Sequence, residues 1–263
     1  MTGLAGYMSG HSHQILWQTL VALSGSLCLA VSGSTVLNMW YDRDIDARMQ
    51  RTCWRPLPVG KVTPREALIL GLFLSTIGVA WALALDWLYG VVVFAGLFFD
   101  VVVYTLWLKR RTAWSIVWGG ISGGMPVLAG RVLVIGRVDW IGLTLASAVL
   151  FWVPTHILTF NMRYFWDYQN AGIPTFPARY GFQITRLVIA FASIAAAAAM
   201  GLAALGVGMT ADSLRLMAVL STALFFLAVV STINTSDKTN FWLFKYASMY
   251  MLCIMLLLML NSV

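Results

Sequence analysis

Charge is scarce in this 263-residue chain: 10% of residues are Asp, Glu, Lys or Arg, against 60% in the apolar set. A soluble domain carries roughly 25% charged and about 45–50% apolar residues, so a cytosolic enzyme and a nucleic-acid-binding protein are both excluded. Cysteine is scarce too. Cys28, Cys53 and Cys253 show neither paired nor metal-like spacing, so neither a disulfide framework nor a zinc site is suggested. No low-complexity tract or flexible linker interrupts the chain, so residues 1–263 read as one integral-membrane domain. The first ten residues hold no Lys or Arg and no small-residue cleavage site, and therefore do not read as a signal peptide. They read as half a helix, stopped by the polar His11, Ser12 and His13, with the start of that helix expected to be absent.

What is present is a series of apolar runs, at about 14–37, 67–85, 88–108, 115–134, 139–160, 183–206, 213–233 and 242–260. Each is close to the ~20 residues that cross a bilayer as a helix. With the N-terminal stub they predict an all-α bundle of about nine transmembrane helices, the first truncated. Of 17 Lys and Arg residues, 14 lie in or beside alternate connections. Arg43 to Arg65 mark one, Lys109 to Arg111 a second, Arg163, Arg179 and Arg186 a third, Lys238 and Lys245 a fourth. Positive charge accumulates on the cytoplasmic side, so these four loops are expected there, in a multi-pass cell-membrane protein. The two long ones, 38–66 and 161–182, are the expected seat of function.

The first of these carries Asn38, Asp42 and Asp46, spaced i, i+4, i+8 and so on one helical face. Three aligned oxygen-bearing side chains repel unless a cation intervenes. Hard oxygen ligands with few carboxylates suit Mg²⁺, which keeps waters and is commonly completed by substrate phosphates. Arg51 and Arg55 follow one to two turns later and can donate to such a phosphate. The competing reading pairs these acids with Arg43, Arg48 and Arg51 on a solvated helix end.

Asn38, Asp42 and Asp46 match the first signature, Asn-x-x-x-Asp-x-x-x-Asp, of the UbiA-type intramembrane prenyltransferases. Tyr41 to Asp46, then Arg51, Arg55, Pro56, Pro58 and Gly60, resemble its protoheme IX farnesyltransferase branch. Tyr104 to Arg110, the glycine-rich stretch Trp118 to Pro126, and Ala171 to Pro177 are similar to that branch as well. The resemblance implies a helical bundle around a central cavity, with Mg²⁺ and prenyl diphosphate bound under the cytoplasmic loops. By the same resemblance, Asp42, Asp46 and Asp167 hold the metal. Arg51, Arg55, Lys109, Arg110 and Arg163 hold the diphosphate, while Asn38 and His156 join the two acids in catalysis, His156 beside the acceptor. Farnesyl diphosphate and protoheme are the implied partners, together with membrane lipid and no nucleic acid. The sequence departs from the branch in having the single acid Asp167 in its second signature, Thr155 before His156, and Asp100 where an aromatic residue is expected.

Several of these residues have plainer readings. His156 on an apolar helix suits a satisfied structural histidine, and Lys109 to Arg111 suit a lipid-anchoring helix end. Asp100, deep in an apolar run, faces either a cavity or a hydrogen-bond partner on a neighbouring helix. Gly119, Gly120, Gly123 and Gly124 suit close helix packing; no Gly-Lys-Ser/Thr follows to make a phosphate loop. Trp40, Trp118, Trp152 and Phe160 either line the cavity or sit at the membrane interface. Two other functions compete: UbiA-type transfer to another lipid or aromatic acceptor, and an ion-coupled transporter, against which the acids lie at the boundary rather than the midplane.

Overall fold

The computed structural model describes residues 1–10 and 17–261; His11 and His13 lie outside the described residues. The chain runs through α1 (Thr2–Met8), α2 (Trp17–Tyr41), α3 (Arg43–Asp46), α4 (Pro64–Leu85) and α5 (Trp87–Phe98). A π-helical segment (Phe99–Leu108) continues α5 directly. Then come α6 (Ser115–Ile135), α7 (Trp140–Arg163), α8 (Phe165–Asn170), α9 (Phe176–Val207), α10 (Ala211–Ile233) and α11 (Asp237–Leu260). Among the described residues, eight helices are long and apolar enough to cross a membrane, and the seven-residue α1 is the expected stub. No strand occurs among the described residues. The protein is an all-helical, multi-pass membrane bundle. Phe73, Phe94, Phe191 and Phe226 are exposed on its flanks, a surface that lipid covers at no cost.

Small residues set the helix spacing. Gly33, Gly71 and Gly78 seat α2 against α4, where an added side-chain carbon would strike Ser75, Leu37 or Ala30. Gly120 and Gly124 of α6 pack in the same way on Leu150 and Ala146 of α7, the arrangement that lets backbones approach closely in lipid. Gly119 and Gly123 have looser neighbours, the Tyr104 ring and Val153.

Two departures from the expected pattern shape the site. The loop expected over 161–182 contains α8 and the start of α9, which bends at Gly181 with φ 81°, a left-handed backbone that favours glycine. The apolar run at 88–108 does not stay α-helical. Its last ten residues form hydrogen bonds one residue longer, such as Lys109 N to Tyr104 O at 2.8 Å, and π segments of this kind frequently occur at functional sites.

Candidate active site

The acidic face is built across a helix break. α2 ends at Tyr41, yet Asp42 N bonds to Asn38 O at 2.9 Å and Asp46 N to Asp42 O at 2.8 Å. The i→i−4 ladder therefore carries on through α3 and keeps Asn38, Asp42 and Asp46 in line. Opposite them stands the π segment. In an α-helix, residues nine apart lie about 180° round the axis, which would put Asp100 and Lys109 on opposite sides. The π turns bring both to α2. Asp100 accepts from Ser34 Oγ at 2.7 Å, Thr105 Oγ1 accepts from Asn38 Nδ2 at 2.8 Å, and Lys109 pairs with Asp42. Three rungs thus join the two helices, with Ser34, Asn38 and Asp42 on one rail.

Thr105 also donates to the Asp100 carbonyl at 2.8 Å. Its proton is spent, so it can only accept from Asn38. This fixes which end of the Asn38 amide is N and leaves its Oδ1 as the remaining acceptor.

At the head of the ladder is a cavity of about 230 Å³ lined by Asn38, Asp42, Asp46, Arg51, Arg55 and Lys109, together with Tyr104, Phe160, Tyr168 and Thr175. A small cluster of Ile45, Met49, Ala171 and Ile173 ties the two long connections together beneath it. Asp42 and Asp46 are 2% and 5% exposed. Arg55 Nη1 meets Asp46 Oδ2 at 2.8 Å, and Arg110 reaches Asp42 Oδ1 at 3.4 Å. Arg110 bonds chiefly to the exposed Asp44, at 2.7 and 2.9 Å, which holds the Asp44 carboxyl below its usual range. Burial alone would pull the Lys109 ammonium down, but Tyr104 and Asp42 beside it outweigh burial and hold it above its ordinary value.

Arg51 stacks 4.8 Å from the Phe160 ring and 5.6 Å from that of Tyr164. Its Nε is buried with no hydrogen-bond partner, and so is Thr175 Oγ1. Both residues line the cavity, and two unmet donors beside it suit an anion. The charges agree. Two carboxylates against Arg51, Arg55 and Lys109 leave a net +1 in the lining; a divalent cation would raise this to +3, the counter-charge of about one fully ionised alkyl diphosphate. Asn38 Oδ1 and two carboxylates are a donor set suited to Mg²⁺ completed by phosphate oxygens, so the residues present fit that metal.

A profile of the UbiA prenyltransferase family matches residues 1–259. The chain belongs to that family. A protoheme IX farnesyltransferase of Archaeoglobus fulgidus is 46% identical over 170 residues, 65% of this chain and 60% of that protein. One of Pyrobaculum islandicum is 35% identical over 237 residues, 90% of this chain and 82% of that protein. The chain spans about 60% of the length of the first curated relatives it matches. Among solved structures, a digeranylgeranylglyceryl phosphate synthase shares the fold with TM-score 0.83 at 17% identity, covering 99% of this chain and 91% of that one. A UbiA homolog from Archaeoglobus fulgidus, bound to GPP and Mg²⁺, gives TM-score 0.66 at 15% identity over 98% and 95%.

Within this UbiA bundle, Asp167 and Arg163, expected at the acidic site, do not line its cavity, and neither does His156, expected beside the acceptor. Asp167 does not line the cavity; its neighbour Tyr168 does, and successive helical residues point about 100° apart. Among the described residues no group of three His, Cys, Asp or Glu is placed to hold a metal, so Asp42, Asp46 and Asp167 are not gathered around one ion. Arg163, in the last turn of α7, lies 4.3 Å over the Phe241 ring and lines a different cavity. His156 is stacked between Trp152 and Phe244 at 4.8 and 4.7 Å, with Nδ1 3.1 Å from Ser248 Oγ. Conversely, Thr105 and Thr175 were not singled out from sequence. Both lie inside the family-like segments, but neither type carries a charge or a period that would flag it.

Proposed function

We propose that the protein transfers a farnesyl group from farnesyl diphosphate to a vinyl group of protoheme, in the cell membrane and with the four basic loops on the cytoplasmic side. The observation that carries the donor half is the cavity where Asn38, Asp42 and Asp46 face Arg51, Arg55 and Lys109, with the Arg51 Nε and Thr175 donors unmet. The acceptor half is supported by relatives of 35–46% identity that bear the name protoheme IX farnesyltransferase.

Asp42 and Asp46, with Asn38 Oδ1, would hold Mg²⁺. When bound, the metal supplies Lewis-acid stabilisation of the diphosphate leaving group. Lys109, Arg51 and Arg55 donate to the same oxygens as their charge grows. The allylic C–O bond breaks and its electron pair departs with diphosphate. The rings of Phe160, Tyr104 and Tyr168 present π faces to the allylic cation and exclude water. The vinyl π pair forms the new C–C bond, water adds to the resulting cationic carbon, and one proton is released. Membranes supplied with protoheme, farnesyl diphosphate and Mg²⁺ are expected to yield a heme heavier by one hydrated farnesyl group, read by mass spectrometry. Diphosphate release with a phenolic or glycerol-type acceptor and never with protoheme would keep prenyl transfer and remove the heme assignment; no release at all would favour a transporter. Labelling of single cysteines in the basic loops from outside the cell would overturn the orientation.

A further inference from the structure

Beside the diphosphate cavity lies a larger one of about 600 Å³, within the range of about 300–1,000 Å³ typical of small-molecule sites. Its walls are aromatic: Phe160, Tyr164, Phe241 and Phe244 among them. Such a lining suits a flat, apolar ligand. Phe160 also lines the diphosphate cavity, 4.8 Å from the Arg51 guanidinium on that side and 6.0 Å from Phe244 on this one. Phe160 therefore stands in the wall between the two spaces, with Tyr164 beside it.

Arg163 lines the aromatic cavity, and Lys245, outside the lining, shares the Phe241 ring with it. Arg163 lies 4.3 Å and Lys245 4.6 Å from the centre of the Phe241 ring. Asp237 lines the cavity too, but among the described residues neither cation has an ion-pair partner. Like charges gathered at one ring repel, and a ligand with carboxylates relieves that repulsion. A second observation points to a ligand independently. Asn240 lines the cavity and is 5% exposed; its Nδ2 donates to Thr159 O at 3.0 Å, while its Oδ1 is buried with no partner. A buried acceptor without a donor is uncommon, and an O–H group inside the cavity would satisfy it.

We propose that this aromatic cavity holds the acceptor: a planar macrocycle whose two carboxylates reach Arg163 and Lys245, and whose reacting edge abuts Phe160. The inference rests on the protoheme reading above and adds the place and the contacts. Asn240 Oδ1 is then the acceptor that positions the water consumed in hydration. His156, one ring behind Phe244, stiffens the wall and does not touch the ligand.

The test is protoheme titration of the purified protein in nanodiscs, followed by the Soret shift. Arg163→Gln with Lys245→Gln should weaken protoheme binding on the order of tenfold, and the swap Arg163→Lys with Lys245→Arg should restore it. Protoheme dimethyl ester should bind the unaltered protein as weakly and be indifferent to either pair of substitutions. Binding of farnesyl thiolodiphosphate with Mg²⁺, measured on the same samples, should be unchanged and reports that the bundle is intact. Unaltered protoheme affinity in the Gln pair, or ester bound as tightly as the acid, overturns the placement. Equal loss of thiolodiphosphate binding, restored by the swap, would assign the cavity to the donor instead. Absence of protoheme binding by the unsubstituted protein would overturn the acceptor reading itself.

Discussion

Helices that begin at the acidic cavity and helices that begin away from it treat their first turns differently. Away from the cavity, Asp86, Asp139 and Thr210 cap α5, α7 and α10 by accepting from Tyr89, Gly142 and Ser213 N–H groups. Thr63 and Ser236 do the same for α4 and α11. At the cavity, α3 and α9 begin with Asp42 and Thr175, good capping residues whose side chains make no cap bond. Asp42 is committed to Lys109, and Thr175 Oγ1 is buried without a partner. The same residue types that stabilise helix ends elsewhere are withheld here. Local stability of this kind is commonly given up at functional sites.

The contrast can be broken most forcefully by removing the charges on each side of it. Asp42→Asn and Asp46→Asn should lower prenyl transfer by at least ~100-fold through loss of metal and diphosphate organisation, with farnesyl transfer rate as the readout. Asp139→Ala should leave that rate nearly unchanged and destabilise the fold by about 3 kcal/mol. It removes a cap and strands Arg131, which is 4% exposed and bonded to Asp139 at 2.7 and 2.8 Å; thermal unfolding in detergent measures this.

Smaller effects sharpen the comparison. Thr105→Val should cut the rate about 10-fold by freeing the Asn38 amide to turn, the usual loss for a residue that orients a ligand, and Thr105→Ser should recover most of it. Thr175→Val should weaken diphosphate binding a few-fold while leaving stability unchanged or slightly raised, because it deletes an unsatisfied group. Thr63→Ala, at an ordinary cap, should cost about 1 kcal/mol and no activity.

The smallest effect is expected at Asp44. Asp44→Asn should change the rate less than any substitution at 42 or 46, since Asp44 is exposed and bonded to Arg110. Arg110 depresses its pKa, so the pair's contribution is present above the ordinary carboxylate pKa. It fades as pH falls through the lowered one, and the stability difference between this variant and the parent should vanish only in acid. Equal losses at 42, 44 and 46 would reduce the acidic face to a set of ion pairs.

The sequence carried the bundle and the acidic face, because both are periodic. The eight apolar runs became eight spans, and Asn38, Asp42 and Asp46 stayed aligned because the i→i−4 bonds continue through the break at Asp42. What it did not carry depends on direction rather than spacing. Asp167 and Tyr168 are adjacent and only one faces the cavity. Arg163 and Arg51 sit in the two long connections, yet they line different cavities on either side of Phe160. The Thr105 hydroxyl is defined by its two hydrogen bonds and that of Thr175 by having none, which no pattern announces.

The π segment has a genetic consequence. A stretch with a longer hydrogen-bonded repeat amounts to one additional codon kept inside an otherwise regular helix. Excising Val102, a residue 39% exposed on the flank, would leave a run still able to cross the bilayer. Everything after it would swing by about 100° and carry Lys109 away from Asp42. Hydropathy would register little change, while the two rungs beyond it, at Thr105 and Lys109, would have to be re-made. In this span a single in-frame deletion is therefore far more damaging than its composition suggests, and substitutions at Val102 should be tolerated where its loss is not.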